Sequence, residues 1–268
     1  MAPQPVNQDA ETENQLQNWD NFCQYHLGDW HGTWTSYSLE GRSTNAFKCV
    51  RSFHLREDGS QITHQNRSTY SDGRIELQTF GPYSKPSPGL SFKGHHFVVL
   101  FLDRSFSWGS TTIKASVPFF FETGFRYEKR RISLVAGYGE SRELQRITVI
   151  SEQLDNFPES EVSHAPNLIK PDSGWQGIEK KMAPDLATSS PEEVVWQPLE
   201  NLGGNNQVFH LPGGGSISCP LKIESNGITD LIVDWQAAPN KLLRGTRRFD
   251  HSEFSGFLLQ VHESEMAG

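Results

Sequence analysis

From Trp30 onward, apolar and polar positions alternate with the period of two that marks strands, with side chains pointing to opposite faces of a sheet in turn. Asp58-Gly59 and Asp72-Gly73 punctuate this alternation. Asp-Gly tolerates the positive φ angles of a tight turn, so each pair predicts a β-hairpin. Two-residue loops set the pairing. Across the first turn Leu55 faces Ile62, Phe53 faces His64, Arg51 faces Asn66 and Cys49 faces Ser68. Across the second, Tyr70 faces Ile75, Ser68 faces Leu77 and Asn66 faces Thr79. All of these fall on one face. The opposite face carries Ser52, His54, Arg56, Gln61, Thr63, Gln65, Glu76 and Gln78, and reads as solvated. Further strands are expected at 95–102, 104–112, 117–127, 131–139 and 144–152, about nine by Glu152, enough for a small closed barrel.

Ahead of the strands, residues 1–11 read as a loose tail. Thr12-Glu-Asn-Gln15 has the capping-box pattern, and Leu16, Trp19 and Cys23 follow at helical spacing, which predicts a short helix plugging one end of the sheet. The N-terminal barrel with its helix thus occupies 12–155. A Pro-rich stretch without periodicity, 156–174, reads as a linker, and 175–268 as a shorter second half. There, a three-residue loop around Asn226-Gly227 puts Cys219, Leu221, Ile223, Leu231, Val233 and Trp235 on one inner face, a packed aliphatic scaffold. Two echoes suggest internal duplication: Trp30/Gly32 against Trp175/Gly177, and Tyr138–Glu152 against Phe249–Glu263.

Composition narrows the class. The 268 residues are 35% hydrophobic and 11% aromatic, which is globular. No apolar run approaches the roughly 20 residues of a membrane helix. A net charge of -8 argues against a nucleic-acid partner. The basic run Lys129-Arg130-Arg131 reads as a solvated hairpin turn. The polar N-terminus has no h-region of a signal peptide, and Cys23, Cys49 and Cys219 are odd in number and far apart, so a cytoplasmic protein with reduced thiols is expected.

Gly28-Asp-Trp30 and Gly32-Thr-Trp34 resemble the Gly-x-Trp opening of the calycin superfamily, which includes lipocalins and fatty-acid-binding proteins. With the N-terminal helix, the hairpins and the series Ile217-Ser-Cys-Pro220, Val233-Asp-Trp235 and Arg247-Arg-Phe-Asp250, residues 18–265 are similar to a little-characterised lipocalin-like family of photosynthetic bacteria. The resemblance implies an all-β, antiparallel calycin barrel in two tandem barrel-like halves and brings no established reaction. The disulfides and signal peptide of secreted lipocalins are missing, so their extracellular transport roles do not carry over. The resemblance also implies a late-strand arginine, Arg142 or Arg146, packed against Trp30 or Trp34.

The predicted inner face is unexpectedly polar for a core filled only for stability, since each unpaired buried polar group costs roughly 1–3 kcal/mol. One reading is a pocket for a small hydrophobic or amphipathic molecule. In it Arg51 holds an anionic or polar end, Asn66 and Tyr70 orient polar groups, Trp34, Phe53, Leu55, Ile62 and Leu77 hold the apolar body, and Cys49, His64 and Ser68 complete the lining. The alternative is an internal hydrogen-bond network. A second reading is a cofactor-free isomerase or cyclase on a small conjugated or isoprenoid-type acid, with His64 as base and Tyr70 as acid. A third is an interaction protein with filled barrels. His95-His96 point to opposite faces of a strand and do not chelate one metal together. No cofactor is expected.

Overall fold

The structure is a computed structural model that describes residues 8–85, 89–92, 95–158, 175–202 and 204–264. The linker expected at 156–174 lies almost wholly outside these residues.

One helix, α1 (Gln8–His26), precedes a ten-stranded antiparallel sheet. Its strands are β1 (Gly28–Tyr37), β2 (Ser43–Leu55), β3 (Gln61–Thr69), β4 (Ile75–Ser84), β5 (Gly89–Phe92), β6 (His95–Leu102), β7 (Ser105–Ser110), β8 (Phe119–Tyr127), β9 (Arg130–Tyr138) and β10 (Leu144–Leu154). The order is β4-β3-β2-β1-β10-β9-β8-β7-β6-β5. A second sheet contains β11 (Gln176–Met182), β12 (Glu192–Val195), β13 (Asn206–Leu211), β14 (Gly215–Pro220), β15 (Ile228–Ala238), β16 (Lys241–Asp250) and β17 (Glu253–Glu263), in the order β12-β11-β17-β16-β15-β14-β13. Both sheets follow one plan. The first strand pairs with the second on one side and with the last on the other, and the remaining strands form a meander.

The first sheet curls into a half-barrel. Arg51 on β2 bonds Glu122 on β8 at 3.1 Å although three strands separate them in the sheet. Helix α1 fills the seam between the sheet's edges. Phe22 stacks on Phe101 of β6 at 4.2 Å and tilts against Tyr83 of β4 at 5.8 Å. Asn18 and Asn21 satisfy the Phe101 backbone, Oδ1 accepting its N–H at 2.7 Å and Nδ2 donating to its carbonyl at 3.0 Å. The helix starts before the expected capping box, so Thr12 lies inside it rather than at its start. Its buried stripe centres on Asn18, Trp19 and Phe22, with Cys23 at the margin.

The outer face of the first sheet packs on the second, so one apolar core serves both. Phe121, Phe125, Ile132 and Leu134 meet Ile217, Val233, Trp235, Phe249 and Phe257 there. Arg247, fully buried, reaches from β16 across the interface to the carbonyls of Gly109 and Ser110 at 3.1 and 2.9 Å.

The expected inner face of the second half needs correction. Cys219, Ile223, Leu231, Val233 and Trp235 are buried, but against the first sheet rather than inside a barrel. Leu221 is 45% exposed, because β14 parts from β15 after Ser218 and ends at Pro220, and the Leu221 carbonyl turns to the Leu144 N–H. The face of the second sheet turned away from that core is polar, with Arg244 clamped on Asp234 by two 2.7 Å bonds. It lines an open cavity of about 580 Å³, so this half is more than a packed scaffold.

The two Trp-x-Gly elements open β1 and lead into β11, where glycine is required by space. A Cβ on Gly32 would stand 2.0 Å from the Ser151 carbonyl oxygen and 2.7 Å from Glu152 Cγ. On Gly177 it would stand 2.3 Å from Nδ1 of His262.

Candidate functional site

The inner face of the half-barrel forms a cup. Its closed end is apolar and aromatic: Trp19 and Phe22 of α1 meet Trp30, Phe53, Ile62 and Tyr83. The half-buried rings of Trp34, Phe47, Tyr70, Phe80 and Trp108 mark the open side. Trp34, Phe47 and Tyr70 run in a row across β1, β2 and the end of β3, with centroids 5.6 and 5.1 Å apart.

The polar floor lies between. Arg51 and His64 are 3% and 1% exposed, so both sit inside the protein. Arg51 Nη1 donates to Glu122 Oε1 at 3.1 Å, and Nε lies 3.2 Å from Glu152 Oε1. Glu122 Oε1 also accepts from Ser133 at 2.6 Å, and Glu152 Oε2 accepts from Arg131 Nε at 2.7 Å. Two guanidiniums and two carboxylates thus alternate, and the charge cancels. Burial works against the Arg51 cation, but Glu152 and then Glu122 outweigh it and raise its pKa. Arg131 is pulled down to about 10, chiefly by burial, with Arg51 opposing the help that Glu152 gives.

Arg131 also lies 4.2 Å over Trp30, whose indole N–H donates to the His26 carbonyl at 3.0 Å. It therefore fills the place expected of Arg142 or Arg146. The basic run is not wholly solvated either: the turn is Glu128-Lys129, and strand alternation sends Arg131 inward at 2% exposure.

The first hairpin has the expected pairs, from Leu55↔Ile62 to Cys49↔Ser68. The second differs by one residue, with Ser68 opposite Glu76, Asn66 opposite Gln78 and Arg67 opposite Leu77. Tyr70 and Arg74 close a three-residue loop, and Asp72 Oδ1 accepts the Arg74 N–H at 3.0 Å. One added loop residue flips every β4 side chain. Leu77 consequently lies outside the cup at 59% exposure, and Leu55, at the end of its strand, is 39% exposed. Neither lines the site.

Tyr70 bonds Glu76 at 2.9 Å on the exposed side and is not the partner of His64. That partner is Tyr83. A register shift around Gly81-Pro82 opposes Ile62 to Tyr83 and His64 to Phe80, so both rings turn inward. Tyr83 Oη lies 2.6 Å from His64 Nδ1, and Asn66 Oδ1 lies 3.0 Å from Nε2. In this arrangement Nε2–H donates to Asn66 and Nδ1 accepts from the phenol. The imidazole is sandwiched by Phe53 at 4.2 Å and Phe80 at 4.6 Å. Burial, then the charge of Arg51, holds its pKa well below the ordinary value, and burial raises that of Tyr83. His64 is a neutral, doubly bonded base with no lone pair left for a substrate.

Cys49 is buried, its thiol raised mainly by burial, and its sulfur accepts from Ser68 at 3.9 Å. That is no nucleophile. The side chains of His95 and His96 lie outside those described, and no cluster suited to a metal occurs among the described residues.

Glu122, Arg131, Glu152, Tyr83 and Trp108 are the residues that sequence reasoning missed. Glu152 carried one usable signal, a lone carboxylate on the same alternating face as Ile150 and Leu154.

Fold and site define an all-β protein of two packed antiparallel sheets, the first curled around a cup with a charge-balanced floor. Residues 15–157 match the model described as Domain of unknown function (DUF3598), N-terminal. The chain belongs to the DUF3598 family. A solved protein of unknown function from that family, from Nostoc punctiforme PCC 73102, is 19% identical, with 92% of this chain and 99% of that chain covered at a TM-score of 0.68. That likeness shows the fold. Kievitone hydratase from Nectria haematococca, 7% identical, covers 91% of this chain and 92% of its own at a TM-score of 0.18, too low to bear on the fold. No curated protein matches the chain.

Proposed function

We propose that the cup binds a small, mostly apolar molecule through a polar end that accepts hydrogen bonds. One observation carries this reading. Nη2 of Arg51, Nη2 of Arg131 and the indole Nε1 atoms of Trp34 and Trp108 are buried donors without an acceptor among the described residues. Four such groups on one inner face would each cost about 1–3 kcal/mol if nothing ever met them. A carbonyl, ether or hydroxyl group suits them better than an anion, because the floor is already neutral and His64 adds no positive charge. The ring row of Trp34, Phe47 and Tyr70 supplies an apolar wall for the rest of the molecule.

A meander rolled around such a cup, with its first strand paired to its last, resembles the calycin arrangement, and membership of that superfamily belongs to the same proposal. So does an origin of the two halves by duplication, supported by their common strand order and the paired Trp-x-Gly elements. Three free thiols and a net charge of -8 favour a reducing compartment and no nucleic-acid partner.

The test is native mass spectrometry of protein from its own host, followed by titration of the identified molecule against tryptophan fluorescence. A mass excess lost on denaturation is expected, with Trp34→Leu and Trp108→Phe weakening the rebinding. Host protein of bare polypeptide mass, with a cup indifferent to fatty-acid and isoprenoid alcohols and aldehydes, would overturn the proposal.

A further inference from the structure

A second cavity, of about 360 Å³, lies between the two halves beside the end of α1. Its floor is apolar: Phe125 from the first sheet, with Leu243, Leu259 and Val261 from the second. Its charged rim is unusual. Lys241 is paired with Glu263, and Asp103 with Lys180 at 2.7 Å. Arg104 and Arg126 have no carboxylate partner among the described residues. Among the described residues Arg126 donates to backbone carbonyls alone, those of Tyr25 at 2.6 Å and Glu128 at 2.9 Å, and lies 5.4 Å over the Trp30 ring, while Arg104 lies 5.7 Å over the Tyr25 ring. Burial and, next, the charge of Arg104 lower the Arg126 pKa, which fits two guanidiniums held close together.

Nothing in the overall charge explains this pair, since acidic side chains outnumber Lys and Arg by 32 to 24. Two like charges beside an apolar slot repel each other until an anion bridges them. The planar forks of guanidinium suit a carboxylate or phosphate. We propose that the slot between the halves binds an anionic amphiphile, its head clamped by Arg104 and Arg126 and its chain laid on Phe125, Leu243, Leu259 and Val261. This site is separate from the cup and differs in kind: the cup is charge-balanced and calls for a neutral end, whereas the slot has two cations to spare. A ligand here would touch both sheets and hold them together, so binding would raise the melting temperature of the whole chain.

Calorimetry on the full chain with decanoate, decyl phosphate, decanol and inorganic phosphate tests this. Decanoate or decyl phosphate should bind, and the stronger of the two names the head. Decanol and inorganic phosphate should bind at least about tenfold more weakly, each lacking one of the two contacts. Arg104→Gln/Arg126→Gln should lose at least about tenfold for the anionic amphiphile, whereas Trp34→Leu in the cup should leave it unchanged. Should the double variant fold poorly, Arg104→Gln alone decides, since Arg104 is exposed. Undiminished binding in the arginine variants, or a loss confined to the cup variant, would overturn the assignment. Equal binding of decanol that Trp34→Leu in the cup does not weaken would sink the anionic clamp, and equal binding of inorganic phosphate the apolar floor.

Discussion

Glu152→Gln tests the alternating charges on the cup floor. The carboxylate is 2% exposed and stands between Arg131, at 2.7 Å, and Arg51, at 3.2 Å. The amide keeps the shape and removes the charge. Arg51 retains Glu122, but Arg131 is left as a buried cation facing another. Removing one member of a buried pair costs about 3–5 kcal/mol, because the survivor keeps its desolvation penalty. At roughly 2–4 °C per kcal/mol for a chain near this size, the melting temperature should fall by about 6–20 °C. Urea denaturation at pH 7 measures the free-energy loss, and a thermal melt the shift in melting temperature. The second arm is Glu152→Gln/Arg131→Met, which restores neutrality with an apolar side chain under Trp30 and should recover more than half of the loss. A loss under about 1 kcal/mol for the single variant would mean that water screens the floor. A double variant no better than the single one would show that geometry, not charge, was removed.

The buried histidines set an acid limit. His262 is held down to about 4 by burial and then Arg244, and His26 and His64 well below 6.5, also mainly by burial. The unfolded chain protonates them near 6.5 and the folded chain does not. Stability is therefore full above 6.5 and falls as pH drops toward 4, at about 1.4 kcal/mol per pH unit for each histidine. Urea midpoints at pH 7.5 and 5 should show this, with a shallower fall in His262→Asn. Gly32→Ala should cost about 3 kcal/mol or more, since its Cβ would stand 2.0 Å from a backbone carbonyl, and more than Gly177→Ala, where the nearest backbone atom, the Val261 carbonyl, is 2.8 Å away; thermal melts rank the two. Tyr83→Phe strips the donor from His64 Nδ1 and should cost about 1–3 kcal/mol, whereas Tyr70→Phe should stay within about 0.5 kcal/mol in the same urea series.

What was legible in the sequence follows from range. The first hairpin pairs as expected although its loop is Glu57–Ser60 rather than Asp58-Gly59 alone, because adding one residue on each side leaves the register intact. The second loop gains Ser71 on one side only, and parity then moves Leu77 out, while Tyr70 stands six residues beyond His64 at the end of β3 whatever the register. Strands such as 95–102 and 144–152 were readable from apolar stretches of strand length, but β5, only Gly89–Phe92, was too short to register. Hairpin arithmetic names the residue opposite and says nothing about what stands across a cup. Glu122, Arg131 and Glu152 reach Arg51 only through the pairing of β1 with β10 and the curl of the sheet. Those are long-range features without a local signal. Buried polar side chains at Arg51 and His64 said only that partners must exist.

The second sheet bears on the cup without entering it. Trp30, Arg131 and Glu152 hold their geometry only if β8, β9 and β10 keep their curvature. The opposite face of those strands, through Phe121, Phe125, Ile132, Leu134 and Val149, is buried in the core shared with the second sheet. Each of these strands therefore has alternate residues committed to two different environments: Arg131 and Ser133 to the floor, Ile132 and Leu134 to the core between sheets. Burial on both faces explains why β9 reads as nearly continuous apolar sequence broken by inward polar groups, and why stability and site cannot be separated there. A slip of β9 by one residue would drive the Arg131 cation into that core and expose Ile132 to the carboxylates. The sheet interface fixes the register, and the register fixes the charge pattern of the cup.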